Sequence, residues 1–328
     1  MGMNDIEKYA SVFDDIEPWS GTVPAGFIVD FLGTLTAKDF LEPWGHHPLF
    51  VDGNQLTVPR PTLDGVDKNC EFWFEAADWV LAAREARERF VMVTLGALYG
   101  YQAVGSQRAL QRLNPMPSKL VAVEPIPQNM AWVRRHMIDN GIDPEAQWLI
   151  EAAISDRNEP VFFPVGSPGL GAQNCIATNE KDARHRYFEE FVAQGRTEEA
   201  LRNLLLRNTT GLEMDIIAGQ GHMGEIKLIS SVTLEDVLGP FSRVDFLEAD
   251  IQQSEIVVFP PYIDLLKRKV RRIHLGTHGP DVHRALHDLF ADKGWEIVFS
   301  FAPETSYETP IGGFLTNDGI LSVVNPEL

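Results

Sequence analysis

Phe90-Val-Met-Val-Thr-Leu-Gly-Ala-Leu-Tyr-Gly100, followed by Leu120-Val-Ala-Val-Glu-Pro125, is the stretch from which the fold can be read. Each segment opens with a short uncharged run and stops abruptly, the first at Gly96 and the second at Glu124-Pro125. Continuous apolar runs of this length are the signature of strands buried on both faces. The uncharged run 90–107 contains Thr94, Gly96, Gly100, Gln102 and Gly105, so it reads as strand, glycine loop and helix rather than as a membrane span. Working outward, the same grammar repeats. Pro127 can start a helix that Asn140-Gly141 can end. Residues 148–154 read as a third strand, 244–249 as a fourth ending at Asp250, and 270–275 as a fifth ending at Gly276-Thr-His278-Gly-Pro280. A helix with Val282, Leu286, Leu289 and Phe290 on one face stops at Gly294, and 295–301 and 319–324 close the chain as strands. This alternation predicts an α/β fold: a doubly wound, mostly parallel, Rossmann-like sheet with helices on both faces. Ligands of such sheets bind outside the carboxyl ends of the strands.

Upstream, residues 1–66 are rich in turn formers (Pro18, Gly21, Pro24, Gly45, Pro48, Pro59, Pro61, Gly65) and read as an extended N-terminal arm. Its apolar residues Phe27, Ile28, Phe31 and Leu32 call for burial. Residues 67–328 form the main domain. It opens with a helix over 70–89, with Trp73, Ala76, Ala77, Val80 and Ala83 at helical spacing, acids early and arginines late. Between about 179 and 224 the pattern breaks into a charged helical insertion, placed as a lid over the site or as a solvated decoration.

The 328 residues carry 28 Lys plus Arg against 47 Asp plus Glu, a formal charge of −19. That balance argues against binding to phosphate backbones and favours a small neutral or cationic partner over nucleic acid. Two cysteines, Cys70 and Cys175, make no disulfide framework and fit a reducing compartment. The acidic start lacks the basic region of a signal peptide. A cytoplasmic protein with no membrane partner is expected, and homo-oligomerisation is left open.

A nicotinamide loop would read G-x-G-x-x-G, but Leu98 and Tyr101 occupy the second and third glycine positions after Gly96. No Gly-Lys-Ser/Thr follows, so a phosphate loop fails as well. Glu124, at the end of the second strand, can accept hydrogen bonds from ribose hydroxyls or simply cap the turn before Pro125. A ribose without a phosphate loop suggests an adenosine cofactor lacking pyrophosphate, S-adenosyl-L-methionine (SAM) being the common one.

At these residues the chain resembles the class I SAM-dependent methyltransferases: Leu120-Val-Ala-Val-Glu-Pro125, Asn140-Gly141, then Ala152-Ala-Ile-Ser-Asp156. Thr233-Leu-Glu-Asp-Val-Leu238 with Val244-Asp-Phe-Leu-Glu-Ala-Asp-Ile-Gln-Gln-Ser-Glu255 is similar to the FkbM family, and His274-Leu-Gly-Thr-His278-Gly to one branch of it. The resemblance implies SAM as cofactor, bound by Gly96, Ala97, Gly100, Glu124, Pro125 and Ala153. It implies O-methylation of a small saccharide-like or natural-product acceptor, with Gln173, Asn174 and Glu255 toward the substrate. Departures fall at Thr94, where an acid is usual, at Leu98 between the glycines, and at Gln253-Ser254 in place of small residues. They predict weakened cofactor binding, and at the extreme a non-catalytic SAM- or nucleoside-binding protein.

His278 and Asp250 end adjacent predicted strands and form the candidate catalytic pair. The histidine, ordinarily titrating near ~6.5, would take the acceptor's proton while the carboxylate orients the ring. A structural loop histidine is the bland alternative. Asp250, His278 and Glu255 could instead ligate a metal, though no tight spacing supports this and no metal is expected. His46-His47 and the His283/His287 pair read as surface histidines, since residues 284–286 are Arg-Ala-Leu and no HExxH pattern forms.

Overall fold

In the computed structural model, which describes residues 3–41, 57–63, 70–165, 176 and 225–328, the two quoted runs lie side by side in the middle of one sheet. Along the chain come β1 (Phe27–Val29), β2 (Leu35–Ala37), α1 (Lys38–Leu41), α2 (Glu71–Glu85), β3 (Phe90–Leu95), α3 (Tyr101–Leu113), β4 (Ser118–Val123) and α4 (Pro127–Asp139). Then follow β5 (Trp148–Ile150), β6 (Ala153–Ile154), β7 (Val161–Val165), β8 (Glu225–Ile229), β9 (Ser231–Val232), α5 (Leu234–Leu238), β10 (Val244–Ala249), α6 (Glu255–Val258) and α7 (Ile263–Lys269). The chain ends with β11 (Val270–Thr277), α8 (Pro280–Asp292), β12 (Glu296–Phe301), β13 (Ser306–Thr309), β14 (Gly312–Leu315) and β15 (Gly319–Val324).

The central sheet has seven strands in the order β12-β15-β11-β10-β3-β4-β5. β11, β10, β3, β4 and β5 are parallel, and β15 runs antiparallel to both its neighbours. From β3 the order runs outward through β4 and β5, and from β10 the other way through β11. The point between β3 and β10 is therefore where strand order reverses, and crevices for ligands open at such points. Alternate side chains of β3 feed two cores: Phe90 and Met92 join α2, α3 and α4 on one face, while Val91, Val93 and Leu95 join α5 and α8 on the other. That two-sided burial is why the strands read as unbroken apolar runs.

The first face contains a polar row. Thr94, Glu248, His274 and Ser322 are register neighbours across β3, β10, β11 and β15. Over it lies α2, whose Asp78 pairs with His274 Nδ1 at 2.7 Å, accepts from Arg272 Nη1 at 3.0 Å and accepts from Ser322 Oγ at 2.8 Å. α2 ends at Glu85, four residues before the expected stop, because Ala86 turns extended and Glu88 adopts a φ of 61°.

The N-terminal segment forms short turns and the β1–β2 hairpin, and Phe31, Leu32, Phe13 and Ile16 bury in the same core as α2 and α3. Asn140 holds it: its side chain accepts from Leu35 N at 2.9 Å and donates to Leu35 O at 2.8 Å, replacing a strand neighbour. Arg112 donates to the carbonyls of Phe31 and Glu17. The expected third strand bends at Glu151-Ala152 into β5 and β6, the latter pairing with β9. The β13–β14 hairpin carried no recognised signal. The insertion expected over about 179–224 lies outside the described residues.

Candidate active site

A pocket opens at the switch point. Gly96, Leu98, Glu124, Pro125, Ala153 and Asp250 line it, with Ile154, Phe163, Ile176 and Ile251 supplying apolar wall and Ser254 a further polar group.

Gly96 has a φ of +79°, and a Cβ there would sit 2.2 Å from Asp250 O. Only glycine lets the end of β3 press so closely on the end of β10. Gly100 also has φ +79°, but a Cβ there would meet Val133 of α4 at 3.2 Å, so this glycine serves helix packing. Neither Gly100 nor the buried Ala97 lines the pocket. Leu98 does, with a φ of +51° unusual for a branched residue.

Glu124 is 3% exposed and accepts from Leu98 N at 2.8 Å, Ile126 N at 3.0 Å and Asn129 Nδ2 at 3.2 Å. It thereby ties the glycine loop to the start of α4. Burial pushes its carboxyl up to about 7, against the pull of those donors. A carboxylate offers roughly four acceptor sites, so one is left for a ligand hydroxyl.

Asp250 and His278 meet as the adjacent strands require, with His278 Nε2 3.3 Å from Asp250 Oδ1. Glu255 at the start of α6 lies 3.7 Å from His278 Nδ1, and Asp318 lies 3.7 Å from Nε2. Asp250 keeps 48% of its side-chain surface open in the cleft, whereas His278 keeps 9%. Asp250 faces the pocket and the ring stands behind it. The recessed position of Asp250 raises its carboxyl, His278 lowers it, and Glu255 adds to the rise. Burial alone would lower His278, but Asp250, Glu255 and Asp318 outweigh it and push the ring up to about 10. The expected base near neutrality is thus an imidazolium when the site is empty of other cations, because three carboxylates surround one ring. Gln252 and Gln253, in the loop joining Asp250 to α6, have φ of 53° and 69°, and Gln252 Nε2 donates to Asp250 Oδ1 at 2.9 Å.

Thr94 is fully buried and donates to Glu248 at 2.5 Å, away from the pocket. Gln173, Asn174 and His46-His47 lie outside the described residues. His283 was expected at the surface but is 7% exposed, bonded to Thr277 Oγ1 at 2.9 Å and Ser300 Oγ at 3.1 Å. His287 pairs with Asp288 at the surface. The missed lining residues Ile154, Phe163 and Ile176 come from the bend after β5, from β7 and from a point beyond it.

The donor set fits SAM. Among the described residues no Lys or Arg lines the pocket, which disfavours a diphosphate, while Glu124 suits ribose hydroxyls and Asp250 suits a cationic centre. Among the described residues no helix is long and apolar enough to cross a membrane. No protein-family model matches the chain. A protein of Jannaschia sp. (strain CCS1) named as a methyltransferase is 22% identical over 289 residues, covering 86% of this chain and 87% of that one. A precorrin-6y C5,15-methyltransferase structure from Geobacter metallireducens GS-15 aligns with TM-score 0.38 at 10% identity, covering 80% and 93% of the two chains. The FkbM methyltransferase structure from Methylobacillus flagellatus KT aligns with TM-score 0.39 at 9% identity, covering 80% and 56%. Likenesses this distant say nothing of substrate. What the strand order itself establishes is a doubly wound, mostly parallel α/β fold of the Rossmann-like kind, with its pocket where that fold puts one.

Proposed function

We propose that the protein is a SAM-dependent methyltransferase that methylates a hydroxyl of a small saccharide-like or natural-product acceptor. One observation carries this reading: a buried carboxylate at the end of β4, with acceptor capacity to spare, faces a pocket at the strand-order switch point that holds Asp250 and no cationic side chain among the described residues. The name of the Jannaschia relative supports the transferase class. SAM, when bound, supplies an electrophilic methyl group on a sulfonium centre.

Glu124 would accept a hydrogen bond from one ribose hydroxyl, and its bond from Leu98 N fixes the loop beside it. Asp250, the pocket's other carboxylate, would hold the sulfonium end. Asp250 would also accept the hydrogen bond of the acceptor hydroxyl and take its proton during methyl transfer, with S-adenosylhomocysteine as the leaving group, while His278 holds the carboxylate in place. Holding oxygen and methyl carbon in near-attack geometry provides most of the rate gain. The charge of −19 supports a small acceptor over a nucleic acid.

Calorimetry tests the reading. SAM and S-adenosylhomocysteine are expected to bind and NAD is not. Glu124→Ala should weaken SAM by roughly 10- to 100-fold, the scale of charge-assisted hydrogen bonds. NAD binding, or SAM affinity unchanged in the variant, would overturn it. SAM binding with no methyl transfer across an acceptor screen would favour the non-catalytic reading, for which Leu98 in the pocket speaks.

A further inference from the structure

We propose that Asp250, Glu255 and His278 bind one divalent transition-metal cation, of the Mn²⁺ or Zn²⁺ class, at the inner end of the pocket. One ligand atom from each lies within 4.8 Å of the other two. The His278 Nε2–Asp250 Oδ1 separation of 3.3 Å is that of two donors sharing an ion, since an ion held about 2.1 Å from each sets cis donors roughly 3–3.5 Å apart.

The three residues converge from the backbone upward. Asp250 ends β10, His278 follows the parallel neighbour β11 by one residue, and Glu255 opens α6 directly after the loop that leaves Asp250. Glu255 is 0% exposed; its Oε1 accepts from Ile251 N at 2.8 Å, while its Oε2 has no hydrogen-bond partner. His278 is nine-tenths buried, and neither ring nitrogen makes a hydrogen bond. Buried polar atoms are nearly always satisfied, so the orphaned Glu255 oxygen, beside a ring that faces the carboxylates of Asp250, Glu255 and Asp318 without a hydrogen bond, marks a place made for a further group. Two carboxylates call for a cation, and the imidazole selects a first-row transition ion over Mg²⁺ or Ca²⁺. A third carboxylate, Asp318, stands 3.7 Å from the ring and adds to the attraction.

The half-open side chain of Asp250 leaves a coordination position facing the pocket. An oxygen of the acceptor can take that position, where a Lewis acid makes its hydroxyl proton easier to lose. That role rests on the methyltransferase reading above; the site itself does not.

The test is Mn²⁺ binding by chelator-treated full-length protein without SAM, followed by the electron paramagnetic resonance of free Mn²⁺, with Zn²⁺-induced thermal shift as a second readout. One saturable site per chain with micromolar affinity is expected. Asp250→Asn, Glu255→Gln and His278→Gln should each weaken it at least tenfold, with folding checked by circular dichroism. Should a buried-site variant fail to fold, Asp250→Asn, at the most open of the three positions, decides alone. No saturable binding below millimolar Mn²⁺, or equal affinity in the folded variants, overturns the proposal. A protein that binds Mn²⁺ but not SAM would keep this site and remove the methyltransferase reading; the reverse result would do the opposite.

Discussion

Leu98 holds a left-handed backbone and lends its side chain to the wall of the pocket. A branched residue in that conformation costs roughly 1–2 kcal/mol. Glycine would remove this cost but add about 0.5–1 kcal/mol of backbone entropy, and the side chain's packing beside Phe40 and Tyr99 would be lost. Leu98→Gly should therefore leave stability nearly unchanged. Its SAM affinity by calorimetry should rise several-fold as space is freed. Equal or weaker binding would show that the leucine does not encroach on the ligand. Glu124 gives a second residue-scale prediction. With its carboxyl at about 7, it is mostly protonated at pH 6 and mostly ionised at pH 8, and only the ionised form keeps an acceptor for ribose alongside its three donors. SAM affinity should rise roughly tenfold across that range. In Glu124→Gln the dependence should vanish, and a wild-type curve that is flat would assign the ribose contact elsewhere.

At the scale of elements, α2 shows what periodicity conveys and what it hides. Its apolar spacing was legible, and so was the helix. Its early acids read in sequence as charges suiting the helix dipole, and nothing there marks Asp78, which is 0% exposed against Arg272, His274 and Ser322. The partners lie some two hundred residues away, Arg272 and His274 on β11 and Ser322 on β15, so no local pattern reveals them. The same holds for the site. Asp250 and His278 were legible because strand ends in a parallel sheet share one crevice, and Glu255 because of the family resemblance. Of the two loop glycines, Gly96 lines the pocket and Gly100 sits beside Val133. Strand direction leaves no local mark, so the antiparallel β15 could not be told from its neighbours. Removing Asp78 leaves Arg272 buried and short of a partner, and breaking such a pair costs about 3–5 kcal/mol. Asp78→Ala should lower the urea-unfolding free energy by that amount, and Arg272→Met in the same chain should restore part of it. A loss below about 1 kcal/mol would mean that Glu85, which also holds Arg272 at 2.8 Å, suffices.

For the whole molecule, the same tendency to bury acid sets how stability depends on pH. Burial lifts Asp30 from 3.8 to about 6 and Glu124 from 4.5 to about 7. Burial and the neighbouring Asp318 and Glu75 lift Glu71 from 4.5 to about 8. A carboxyl whose folded value is raised stabilises the fold below its unfolded value, and that contribution is lost as pH rises through the folded value. Two histidines act the other way. Burial lowers His136, which joins α4 to Tyr99 O at 3.0 Å and to Thr36 of β2 at 3.4 Å, from 6.5 to about 4. Burial lowers His283 to about 4 as well. Their contribution is complete above the unfolded value of 6.5 and fades as pH falls through 4. Below pH 6.5 the two sets therefore oppose each other. Between about 6.5 and 8 these two histidines no longer change, while Glu124, Glu71 and the raised His278 still hold protons that the unfolded chain has already released. The charge of −19 adds self-repulsion of the same sign. The urea midpoint of metal-free protein should thus be highest near pH 6 and fall steadily toward pH 8, with Glu71→Gln reducing the fall. A midpoint that rises over that interval would mean that Glu71 and Glu124 are already ionised in the fold at pH 6, and that the acidic end of the sheet is better solvated than its burial indicates.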